Sequence, residues 1–145
     1  MGMARLSSVY AVEPRTAARV PFALTPVPAG FPSPAEEYLD RPLDFNELLI
    51  LHPAATFAVR VAGDSMIGAG IYPGDIAVVD RALTATDGAI ILAIVDGEFT
   101  IKRYRIKDGA AWLQPENENY KRIPLTEDCE FQVWGVIKNS IRMFA

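Results

Sequence analysis

Few side chains in this sequence combine a nucleophilic or basic group with a setting that suits chemistry. Ser65 stands in Gly63-Asp64-Ser65-Met66, just after the apolar run Phe57-Ala58-Val59-Arg60-Val61 and just before Gly68-Ala69-Gly70. A serine that follows a strand, on backbone kept free by glycine, exposes its hydroxyl and the neighbouring amide N–H groups. That is a seat for a nucleophile with an oxyanion site, and it is equally the chemistry of an ordinary turn. A nucleophilic serine needs a base. His52 is the only histidine, so a Ser-His-Asp triad must use it, but its place before Pro53 also suits a helix cap. Cys129, the only cysteine, has the same shortage of partners and reads as a quiet, half-buried thiol. The acidic residues are scattered, with no spacing for a metal cage or a paired-carboxylate site, and no cofactor is implied.

The remaining base is Lys102. It lies inside the strand-like run Phe99-Thr100-Ile101-Lys102-Arg103-Tyr104-Arg105-Ile106. Alternation places Thr100, Lys102, Tyr104 and Ile106 on one face and Phe99, Ile101, Arg103 and Arg105 on the other. A lysine on an apolar face is desolvated, its pKa falls, and the neutral amine can take a proton from a serine hydroxyl. The competing reading is a stem lying along apolar surface with its head in water.

The elements that would position these groups come in two blocks. Residues 1–29 form an arm in which Pro14, Pro21, Pro26 and Pro28 forbid a long helix or a central strand. Its Val20, Phe22, Leu24 and Val27 suggest an extended segment that docks, the alternative being a disordered terminus. Ser33-Pro34 with Glu36 predicts a short helix stopped by Pro42, and Asp44 with Glu47 predicts a second one, with Leu48, Leu49 and Leu51 as its apolar face, ending before Pro53. From Thr56 onward strands are predicted over 57–61, 76–79, 89–95, 99–106, 111–114, 131–137 and 141–144. Asp96-Gly97 and Asp108-Gly109 read as hairpin turns, and 89–95 as buried on both faces. The predicted class is mainly β, with two short N-terminal helices and a leading extended arm.

The chain has 145 residues and a formal net charge of −4. Length suits one domain plus an arm. An acidic balance is a poor match for phosphate backbones, so direct sequence-specific DNA binding is not expected. The single cysteine suits a reducing compartment, no apolar run approaches a bilayer span, and a signal-peptide reading fails because Arg15, Arg19, Pro21 and Pro26 interrupt it. A cytoplasmic protein is expected.

Several motifs in order carry a resemblance: Phe31-Pro32-Ser33-Pro34, Gly63-Asp64-Ser65-Met66, Gly74-Asp75, Val79-Asp80 and Val95-Asp96-Gly97-Glu98-Phe99-Thr100-Ile101-Lys102. Together they resemble the UmuD-type, SOS-mutagenesis branch of the LexA-like Ser/Lys peptidases, family S24, over residues 30–139. The resemblance implies a β-rich peptidase domain of the LexA/signal-peptidase type over residues 30–145 and a cleavable arm over 1–29. It implies Ser65 as nucleophile, Lys102 as general base and Ala29-Gly30 as the bond the chain cuts in itself. The amide of Ser65, with a second donor at Met66, is the expected oxyanion site. RecA filaments on single-stranded DNA would stimulate the cut, and the shortened homodimer would join a UmuC-like Y-family polymerase for translesion synthesis. LexA-type repressors carry a helix-turn-helix before the cut; the proline-broken 29 residues here predict no repressor. Two other readings keep the fold: a non-cleaving dimeric module that binds a Y-family polymerase or RecA, and a processing peptidase acting on other chains.

Overall fold

The computed structural model describes residues 5–12, 19–23 and 39–144. They fall into two compact units, one made of Met1–Val12 with His52–Ala145 and the other of Glu13–Leu51.

The larger unit is built on an eight-stranded sheet. Its first strand, β1 (Arg5–Ala11), comes from the arm. The others are β4 (Thr56–Ala62), β5 (Ile76–Asp80), β6 (Ile90–Val95), β7 (Glu98–Lys107), β8 (Ala110–Gln114), β9 (Ile123–Pro124) and β10 (Phe131–Ile141). The order is β1-β4-β5-β10-β6-β7-β8-β9, with every neighbouring pair antiparallel. The expected Asp-Gly turns close the β6–β7 and β7–β8 hairpins. Asp96 and Gly97 have φ of 48° and 82°, and Asp108 and Gly109 have 51° and 76°, the left-handed pair a two-residue hairpin turn requires.

Two apolar clusters form the core. One gathers Val59 and Val61 of β4, Ala77 and Val79 of β5, Leu92, Ile101 and Ile137, with Met66 and Ile71 from the loop after β4. The other holds Ile91, Ala93, Val95, Leu113 and Val136. Strand β6 feeds both by alternation, so the expectation of a run buried on both faces holds. Each such aliphatic side chain contributes roughly 1.5–3 kcal/mol on burial. β1 also passes close to β7, so the sheet curls and brings its β4 region toward β7.

β10 runs past its expected end at 137 to Ile141, and the further strand expected over 141–144 does not form, since no strand includes Arg142–Phe144 and Met143 and Phe144 are exposed. The β10 register shifts between Val133 and Gly135 and again between Ile137 and Asn139, and each bulge breaks the alternation that marks a strand in sequence. Gly135 sits at the first bulge because a Cβ there would lie 2.6 Å from Val79 Cγ1.

The smaller unit pairs β2 (Arg19–Ala23) with β3 (Leu39–Asp44) and continues into α1 (Phe45–Leu49). The onset expected at Ser33-Pro34 lies outside the described residues. The stretch leading to Pro42, however, is strand where the end of a helix was expected. The pairing jumps from Val20↔Leu43 to Phe22↔Asp40, which leaves Pro21 opposite Arg41 and Pro42. Prolines, having no N–H, sit where the ladder is interrupted. Asp44 caps α1 as expected, accepting from the Asn46 N–H at 2.9 Å. The apolar face does not bury: α1 has no buried residue, and Leu48 and Leu51 are exposed. No helix of the described residues is long and apolar enough to cross a membrane.

Candidate active site

Strand β4 ends at Ala62, and Gly63, at φ 83°, turns the chain. The turn is then pulled inward. Met66 is fully buried in the first core cluster, and its carbonyl accepts the Ile71 N–H at 3.2 Å. On the β5 side, Val61 N–H donates to Asp75 O and Gly74 N–H to Val61 O, both at 2.8 Å, which fixes the loop that follows. Ser65 therefore faces the interior. Its exposure is 0%, where sequence suggested an exposed hydroxyl. Anchoring by Met66 and cover from the segment after β8 explain the difference.

Lys102 meets it there. Its Nζ lies 2.9 Å from Ser65 Oγ, 2.8 Å from Thr100 Oγ1 and 3.1 Å from Ile101 O. Lys102 is also 0% exposed, so the reading with its head in water is overturned. Thr100 and Ile101 are buried beside it on opposite faces of β7. Among the described residues no carboxylate bonds to Nζ. Desolvation without a counter-charge lowers the Lys102 pKa from 10.5 to about 7.

The three contacts define what the site can do. An ammonium donates all three N–H bonds. Once neutral, Nζ keeps two N–H groups for Thr100 and Ile101, and its lone pair faces Ser65, whose O–H then donates to it. The same geometry that stabilises the charged form thus aims the serine proton at the base when the charge is lost. Among the described residues neither the Ser65 nor the Met66 amide N–H donates a hydrogen bond. A cleft of about 470 Å³ borders the turn, lined by Ile67, Gly68, Pro115 and Tyr120 among others.

The other sequence candidates lie elsewhere. His52 Nδ1 pairs with Asp80 Oδ2 at 2.6 Å, not with Ser65. Cys129 is partly buried, its Sγ 3.8 Å from Glu130 O, and burial with the nearby Asp96 charge pushes its thiol pKa up, the opposite of an activated nucleophile. Ala29 and Gly30 lie outside the described residues. Alternation puts Thr100 on the Lys102 face, but that its hydroxyl partners Nζ is evident only in the structure. So is the pair Asp75–Arg142. Arg142 donates to Asp75 Oδ1 and Oδ2 at 2.9 and 2.8 Å and to Gly70 O at 2.9 Å, tying the end of the fold to the loop after Ser65. Nothing in the sequence links residues so far apart.

Residues 21–138 match the Peptidase S24-like family. Protein MucA of Salmonella typhimurium is 40% identical over 123 residues, covering 84% of each chain. Protein SamA of Salmonella typhimurium is 47% identical over 110 residues, 76% of each chain. The LexA repressor of Clostridium perfringens is 41% identical over 103 residues, 71% of this chain and 50% of the repressor. The chain belongs to the Peptidase S24-like family.

Proposed function

We propose that this protein is a self-cleaving serine endopeptidase in which Ser65 attacks the Ala29-Gly30 bond of the arm and Lys102 is the general base. The observation that carries the reading is the 2.9 Å contact between Ser65 Oγ and a lysine buried without a counter-charge. Neutral Lys102 takes the Ser65 proton as Oγ adds to the Ala29 carbonyl. The oxyanion is held by the Ser65 and Met66 amides. Lys102 then gives its proton to the Gly30 nitrogen as the C–N bond breaks, and water, deprotonated by Lys102, hydrolyses the acyl-enzyme. A tethered substrate needs no diffusional capture, so one slow turnover per chain suffices.

Family resemblance, together with the similarity to MucA and SamA, supports the setting. In it, RecA filaments on single-stranded DNA stimulate the cut during the SOS response. The product, residues 30–145, acts as a homodimer that joins a UmuC-like Y-family polymerase in translesion synthesis. The working compartment is the cytoplasm.

Intact-mass measurement of the purified full chain, with and without activated RecA, tests the assignment. The wild type should convert to residues 30–145, while Ser65→Ala and Lys102→Ala stay whole with unchanged circular dichroism. Loss of a general base alone slows such steps by about 10²–10⁴-fold. A cut at another bond, or normal cleavage by Lys102→Ala, refutes the assignment. A wild type that stays whole with RecA favours the non-cleaving interaction module.

A further inference from the structure

Ser65 and Lys102 meet across strands that are not neighbours. Between β4 and β7 the sheet order places β5, β10 and β6. The ladder alone makes their separation depend on the accumulated curl of four strand pairings.

A shorter link exists beyond the end of β8. The Glu116 N–H donates to Ser65 O at 2.8 Å, and Glu116 O accepts the Gly68 N–H at 2.7 Å. The joint admits no side chain, since a Cβ on Gly68 would lie 2.5 Å from Glu116 O. The same segment holds Asp64, through Asn117 Nδ2 to Asp64 O at 2.9 Å and through the Tyr120 hydroxyl to Asp64 Oδ1. The Glu116 side chain points to the other half of the site. Arg103 Nε donates to its Oε1 at 2.6 Å, while Arg103 Nη1 donates to Gly88 O at 2.7 Å. Arg103 follows Lys102 directly on β7.

We propose that Arg103 and Glu116 are a positioning pair: by tying the segment after β8 to the strand that carries Lys102, they hold the Ser65 turn at hydrogen-bonding distance from the base. This rests on the reading of Ser65 and Lys102 as a dyad. Both side chains are about 30% exposed, at 29% and 30%, so the ion pair itself adds little stability. Catalysis is more demanding, because a misplacement of about 1 Å can cost about 10²-fold in rate. The pair is therefore expected to affect rate far more than stability.

Glu116→Gln and Arg103→Gln, made in the full chain, keep the backbone bonds and remove the ion pair. Each should slow self-cleavage by roughly 10–100-fold with the melting temperature nearly unchanged. NMR titration of labelled lysine should show the Lys102 midpoint moving up in both, as water reaches a loosened site. The double variant should be no slower than either single one, and Arg103→Lys should recover part of the rate. An unchanged lysine midpoint or an unchanged rate in both variants overturns the proposal. If the wild type itself does not cleave, the function reading fails, while the lysine midpoints still decide whether the pair positions the site.

Discussion

Replacing Lys102 by methionine removes the charge while keeping most of the side-chain length, and it should stabilise the fold. The folded pKa is about 7 against an ordinary 10.5. At about 1.4 kcal/mol per unit, the buried amine costs at most about 5 kcal/mol. Substitution leaves the Thr100 hydroxyl and the Ile101 carbonyl without the amine, which returns about 1–3 kcal/mol of that gain. A net stabilisation of roughly 2–4 kcal/mol is expected at neutral pH. The sign of its pH dependence is fixed by linkage. Below pH 7 both folded and unfolded chains hold the proton, and the full cost is present. Between 7 and 10.5 only the unfolded chain holds it, so the stability of the lysine form rises with pH. The advantage of methionine should thus be greatest below pH 7 and close toward pH 10.5. Urea unfolding of both forms from pH 6 to 10, in a Ser65→Ala background so that neither chain cuts itself, measures the gap. A gap that stays constant with pH refutes the claim that burial holds Lys102 near neutrality.

Three further outcomes follow from the fold. Asp75→Asn should cost about 1–3 kcal/mol at neutral pH. Arg142 holds the Asp75 carboxylate pKa below its ordinary 3.8, so the pair's stability is present above that value and is lost as pH falls through the lowered one; acid unfolding of the variant should show a shallower pH dependence. Gly135→Ala places a methyl 2.6 Å from Val79 Cγ1 and 3.0 Å from Asp80 O, and thermal unfolding should register a loss of about 1–3 kcal/mol. A chain of residues 30–145 lacks β1, so hydrogen exchange should quicken at the β4 amides over Phe57–Ala62 that face β1 and stay slow at those bonded to β5.

The strands of the larger unit were legible where two signals coincide. β4 to β8 show apolar patterning bounded by turns, and Asp96-Gly97 and Asp108-Gly109 declare their hairpins through residues that accept positive φ. Patterning failed where geometry departs from a flat ladder. The bulge after Ile137 hid the continuation of β10 to Ile141, and the prolines of β2 and β3 hid a hairpin whose irregularity accommodates them. At the site, residue types were legible and distances were not. Alternation placed Lys102 on a face shared with Thr100, but its complete burial depends on the curl that brings β4 toward β7. The grip of Glu116 on the Ser65 turn is a backbone contact, which leaves no mark on residue identity except the glycine at 68.

The central claim is that neutral Lys102 is the base for Ser65 in a cut at Ala29-Gly30. The rate of appearance of residues 30–145, followed by intact mass from pH 5 to 10, tests it most directly. The rate should rise tenfold per pH unit at low pH, bend near pH 7 as Lys102 loses its proton, and level off above it. A rate independent of pH across this range, or a product that does not begin at Gly30, contradicts it.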